Sequence, residues 1–285
     1  GKNAMGKLYE FGLRKGMKPL DERIEPFRLW LEEQMHLPNI GYFPVFYRAL
    51  VAAFLSMTGY SEDESVNATI LRRLDTVYPF AKKGDLSEVY IPQDSFPGFP
   101  KAFRNSPLVN PELYTNDESM LPSIHDLNAF LHSELVLRDA QLRNKAEVVL
   151  NFILKPGYQR LHRGYGVVYE PPRRYYAMGW SVHLPNYFEP KAQGKDFGRF
   201  LLLLNMMSRS KTAREHPWFT QSLALLERFR TEGDLIAFPR SFLPEKKIGY
   251  WIGGLRMALE PERRAPKAIT CESTFRYLEI ALRNT

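Results

Sequence analysis

Residues Ser61 to Tyr78 read SEDESVNATILRRLDTVY, and within them Val66, Ile70, Leu74 and Val77 recur at steps of 4, 4 and 3. Side chains three and four positions apart stack on one face, so this spacing predicts an amphipathic helix. Ser61 with Glu64 predicts a capping box at its start. Residues 137–154 repeat the pattern with Leu142, Ala146, Val149 and Ile153, and residues 217–230 repeat it with Trp218, Leu225, Leu226 and Phe229. Pro217 suits a first helical position, where its missing N–H costs nothing.

Each of these helices follows another after a short break. The upstream partners are 43–58, 122–132 and 198–209, and a last helix is expected over 268–283. Segment 198–209 is apolar nearly all round, as a helix buried on both sides should be. The last helix carries Cys271, Phe275, Leu278 and Leu282 on one stripe, which reads as its buried face with Cys271 a small core residue. Tyr175–Leu184 also aligns with Tyr250–Leu259 at a spacing of 75 residues. The expected fold class is therefore all-α, an array of repeated helical hairpins.

Long segments separate the hairpins, at 79–121, 155–197 and 231–267, and segments of that size are normally functional. Val167-Val168-Tyr169 and Arg174-Tyr175-Tyr176 around Pro171-Pro172 predict two short strands of a β-hairpin. Residues 251–259 suit a short helix. No low-complexity linker divides the chain, so a single domain over 1–285 is expected, with 1–40 a divergent N-terminal segment.

Of 285 residues, 44% are hydrophobic and 25% charged, a composition that excludes disordered, collagen-like and disulfide-rich classes. One cysteine forms no internal disulfide, which fits a reducing, cytoplasmic compartment. No apolar run approaches the roughly 20 residues of a membrane span, and no secretory signal pattern opens the chain. The net charge of +7 is uneven: residues 1–142 hold 15 basic and 19 acidic side chains, residues 143–285 hold 24 and 13. The second half is thereby suited to an anionic partner.

Paired helices with connecting loops over one end resemble the α/α toroid of terpenoid cyclases and protein prenyltransferase β-subunits. The blocks Phe238-Pro239-Arg240-Ser241, Gly249-Tyr250-Trp251, Glu262-Arg263-Arg264 and Glu272-Ser273-Thr274-Phe275 resemble uncharacterised bacterial members of that group. The resemblance implies a closed ring and a cavity for an isoprenoid-like molecule, with a prenyltransferase-like or cyclase-like transferase activity or a non-catalytic relative. The chain departs from the group in its chemistry. It has no D-x-D-D motif, no Q-x-x-x-G-x-W repeat, and no Asp-x-Cys pair, since Ile269 and Thr270 precede Cys271.

The densest aromatic and basic block runs from Arg173 and Arg174 through Tyr176 to Trp180, and Arg240, Tyr250, Trp251 and Arg256 are its counterparts. Arginine forks match carboxylate or phosphate, while Tyr and Trp rings line apolar cavities. The same rings could equally brace the long loops. His125 and Asp126 open a predicted helix and are candidates for proton chemistry, as are His183 and Glu272. The alternative at His125 and Asp126 is that Ser123 or Asp126 caps the helix start while the histidines are solvated or hydrogen-bonded. Glu272 is expected to point partly inward and pair with an arginine, as a buried carboxylate at a site does. No metal or cofactor is expected, since His125 and His132 lack a third ligand, and Rossmann, P-loop and G-x-S-x-G patterns are absent.

These readings converge on a protein that binds or processes a hydrophobic small molecule with an anionic head group. The alternative is a helical-repeat scaffold binding nucleic acid or an acidic protein through the basic second half, in which case binding weakens steeply with salt. Oligomeric state is left open.

Overall fold

The computed structural model describes all residues except 1, 38–41, 115–117, 190, 192–193, 244–258, 260–263, 266 and 285. The chain is mostly helical with one small sheet. It forms two compact units, Arg14–His183 and Gly1–Leu13 with Leu184–Thr285. No described helix is long and apolar enough to cross a membrane.

The unit Arg14–His183 is built on helices α2 (Lys18–Met35), α3 (Tyr42–Met57), α4 (Glu64–Lys83), α5 (Ile124–Phe130), α6 (Glu134–Arg138), α7 (Ala140–Ile153) and α8 (Pro156–Gln159). Helix α3 packs against α2, α4 and α5, and α4 packs in turn against α7. That position explains its composition. From Val45 to Met57 every α3 residue but Tyr47 is buried, and all seven residues of α5 are buried. Helix α4 instead buries one stripe containing Val66, Ile70, Leu74 and Val77, the four positions whose spacing predicts it.

The helix starts sharpen the picture. Helix α4 begins after Asp63, with no side-chain cap, so the capping box expected from Ser61 and Glu64 does not form. Asp63 is drawn to Lys15 and Arg28, and the Ser61 hydroxyl accepts from the Glu134 amide at the start of α6. At α5 the capping box is present, with Ser123 and Asp126 satisfying each other's backbone amides. The segment 79–121 is also less open than its length suggests, since α4 runs on to Lys83 and two short strands follow.

Those strands, β1 (Tyr90–Ile91) and β2 (Leu108–Val109), join β3 (Val167–Glu170) and β4 (Arg174–Ala177) in a sheet ordered β1-β2-β3-β4. The β3–β4 pair is the antiparallel hairpin expected around Pro171-Pro172, while β2 runs parallel to β3. Gly166 makes that junction possible. A Cβ there would lie 2.3 Å from the Pro107 carbonyl oxygen, and its φ of +134° suits glycine alone.

The other unit contains α1 (Lys2–Glu10), α9 (Phe197–Met207), α10 (Lys211–Glu215), α11 (Pro217–Glu227) and α12 (Ala268–Ala281), with α9 packed on α11 and α12. No residue of α9 is exposed, as its all-round apolar sequence predicts. Pro217 occupies the first turn of α11, and the His216 ring caps it by accepting from the Trp218 amide.

Helix α12 reverses its expected orientation. Cys271 is exposed, and Phe275, Leu278 and Leu282 are 45%, 41% and 63% exposed. The buried side carries Glu272, Ser273, Arg276, Tyr277 and Ile280. Three contacts outweigh the apolar stripe: Arg276 pairs with Glu272 and with Glu10 of α1, and the Ser273 hydroxyl accepts from the Phe238 amide. Buried polar groups are tolerated when hydrogen-bonded.

Candidate functional site

Within the unit Arg14–His183, three of the predicted site residues, His125, Tyr176 and Trp180, gather around the first turns of α3. Phe43, Phe46 and Tyr47 stand at steps of three and four, which gives that end of the helix an aromatic face. Phe43 meets Tyr176 of β4 edge-on at 5.0 Å between ring centroids. Phe46 stacks on Trp180 at 5.3 Å and meets His125 at 5.4 Å. Tyr176 and Trp180 are half-buried, Tyr47 is exposed and His125 is buried. The hairpin alternation explains this arrangement. Tyr175 turns to the opposite face, toward Phe99 and Tyr169, so Tyr176 turns to α3.

The loops reach α3 at the cost of unusual backbone. Tyr165 and Trp180 both have positive φ, at 63° and 65°, a strained state for bulky residues that tends to occur at functional positions. Hydrogen bonds hold them there. The Tyr165 hydroxyl donates to the Pro122 carbonyl at 2.6 Å and accepts from Tyr158, whose oxygen accepts from the Val182 amide. The Trp180 carbonyl accepts from the Ile124 amide at 2.9 Å, which ties this loop to the start of α5.

Beneath the rings lies a buried charge cluster. Arg73 donates from Nε and Nη2 to the two Asp126 oxygens at 2.9 and 3.1 Å. Its Nη1 donates to Glu118 and to the Ser119 carbonyl. Burial alone would lower the Arg73 pKa, but Asp126 and then Glu118 outweigh it, so the net shift is upward. Burial also raises the pKa of Tyr42, whose hydroxyl donates to the Met178 carbonyl. A cavity of about 20 Å³ lies among Tyr42, Phe46, Arg73, Ser119 and Tyr165, room for one water-sized group.

Asp126 spends its carboxylate on Arg73 and on the Ser123 amide and hydroxyl, which makes it a cap and an ion-pair partner. His125 turns instead into the rings of Phe46, Phe54 and Trp180, because neighbouring helix positions point about 100° apart. His183 braces a loop. Its Nε2 faces the Leu161 carbonyl at 2.7 Å, and its Nδ1 lies 2.7 Å from the Ser181 hydroxyl. That hydroxyl also accepts from the Gly164 amide.

Arg173 and Arg174 are exposed at the hairpin turn, and Arg174 pairs loosely with Glu170 at 3.4 Å. In the other unit, Arg240 is exposed on a 3-10 turn. There Glu272 does turn inward: its Oε1 accepts from Arg276 Nε at 3.2 Å, while Arg276 Nη1 donates to Glu10 at 3.2 Å. Two buried carboxylates thus share one guanidinium. Tyr250, Trp251 and Arg256 lie outside the described residues, as does the helix expected over 251–259. Among the described residues no group of three His, Cys, Asp or Glu side chains could hold a metal.

Sequence reasoning misses Arg73, Tyr42, Phe43, Phe46 and Tyr47. Two signals mark them: the aromatic spacing 43, 46, 47, and an arginine at 73 on the same stripe as Ile70, Leu74 and Val77. No protein-family model matches this chain, and no curated protein or solved structure matches it.

Proposed function

We propose that this chain is a helical-hairpin protein of the α/α toroid kind that binds a hydrophobic small molecule carrying an anionic head group, as an isoprenoid diphosphate does. The observation that carries this reading is the half-buried ring group of Phe43, Tyr176 and Trp180 over the buried Arg73–Asp126 pair. Rings that are partly exposed yet rigidly held present apolar area at little cost in side-chain entropy. Arg174 shares the strand face of Tyr176 two residues away, about 7 Å along the strand. A ligand whose body lies on the rings therefore reaches the Arg174 guanidinium with its head, and Arg173 adjoins it in the turn. The alternation of buried helices α3 and α5 with partly exposed α4 and α7 supports the toroid part of the reading.

The test is calorimetric titration with farnesyl diphosphate, farnesol and inorganic pyrophosphate. Binding of farnesyl diphosphate at least about tenfold tighter than either fragment, lost in Tyr176→Ala, supports the reading. Equal affinity of wild type and Tyr176→Ala removes the ring group from the site.

A further inference from the structure

A cleft of about 590 Å³ opens between the second half of α2 and the first turns of α4. That is the size of a small-molecule site. It is separate from the α3 ring group, since its walls are Arg28, Glu32, Met35 and His36 on one side and the segment Asp63–Ala68 on the other. Arg28, Glu32 and Met35 fall at steps of four and three and so share one face of α2, and His36 follows as its C-cap.

The charges around the cleft are unequally spent. Arg28 is held by two carboxylates: its Nε donates to Asp63 at 2.5 Å, its Nη1 donates to Glu25 at 2.6 Å, and its guanidinium lies over the Tyr60 ring. Asp63 also takes Lys15 at 3.2 Å. One turn along, Glu32 and Glu64 line the same space from opposite walls, both exposed, and among the described residues neither has an ion pair or side-chain hydrogen bond. Between them Met35 and Ala68 supply apolar surface. The Met35 sulfur accepts from the Thr69 hydroxyl, which fixes that side chain. His36 adds a ring at the far end.

We infer that this cleft binds an organic ammonium ion with an aliphatic body. The Glu32 and Glu64 carboxylates receive the cationic end, and Met35 and Ala68 cover the hydrocarbon. Among the described lining residues Arg28 is the one arginine or lysine, and it already carries two carboxylates, which disfavours an anion. A hydrated metal ion would leave the apolar part of the cleft unused.

Titration calorimetry of the full chain with hexylammonium chloride, sodium hexanoate and calcium chloride tests the assignment. Hexylammonium is expected to bind, and hexanoate, with the same hydrocarbon and the opposite charge, is not. The Glu32→Gln/Glu64→Gln variant is expected to weaken hexylammonium about tenfold. Both side chains are exposed and unpaired, so that variant should melt at the wild-type temperature, which keeps a loss of binding interpretable. Hexanoate binding as tightly as hexylammonium, or affinity unchanged in the double variant, overturns the assignment. Heat from calcium alone would make this a metal site and overturn it equally.

Discussion

Trp180 lies over Phe46 with its ring plane 23° from parallel, and it does so from a left-handed backbone at φ 65°. Ring contact and backbone strain are opposed at this residue. Trp180→Gly removes the ring and relaxes the backbone together, so stability should change by less than about 2 kcal/mol. Affinity for farnesyl diphosphate should nonetheless fall about tenfold or more. Urea unfolding and titration calorimetry on the same preparation separate the two effects.

Arg73 and Asp126 should behave as one unit. Arg73→Met strands Asp126, whereas Glu118 keeps Arg72, and is expected to destabilise the protein by about 3–5 kcal/mol. Adding Asp126→Leu removes the stranded charge and should recover part of that loss, less what the α5 cap at Ser123 contributes. A double variant less stable than the sum of the single variants would refute the coupling; the comparison requires denaturant curves for all three.

Alkaline pH should unfold the protein through its buried tyrosines. Burial raises the pKa of Tyr42, Tyr158 and Tyr165 above their ordinary value of 10.0 and pushes that of Tyr114 up to about 12. A folded-state pKa above the unfolded one means the native state holds its proton longer. The stabilisation is therefore intact below pH 10 and is lost as pH rises through the folded values, at about 1.4 kcal/mol per pH unit for each tyrosine. Urea midpoints at pH 9 and pH 11 measure the slope.

The reversed face of α12 can be read chemically. Cys271 should react fully with a maleimide in the native state. Leu278→Ser should cost less than about 1 kcal/mol, whereas Ile280→Ser, at a site 1% exposed, should cost about 2–5 kcal/mol. Similar losses at both positions would contradict the described orientation.

Periodicity made α4 fully legible, whereas α7 buries only the Val149 and Ile153 end of its expected stripe and α11 buries Trp218, Leu225 and Leu226 but stops before Phe229. It failed at α12, where Arg276 pairs with Glu272 and Glu10 from the inward side. No spacing rule ranks a buried ion pair above four apolar side chains. The hairpin at 167–177 was legible from β-branched and aromatic runs around a proline turn. Of the candidate site, Tyr176 and Trp180 meet at α3, but the partners that seat them, Phe43 and Phe46, lie more than 130 residues earlier in the chain. Arg73 was hidden for a related reason, since only the fold brings Asp126 across from α5.

The ion pair between Glu10 and Arg276 spans 266 residues of chain, while the unit Arg14–His183 is continuous and lies between them. On the ribosome, the continuous unit is complete in sequence well before α12 exists. At about 5–20 residues per second, α1 would wait roughly 15–50 s for its partner helix. During that interval Tyr9 and Glu10 lack Arg209 and Arg276, the partners they meet in the fold.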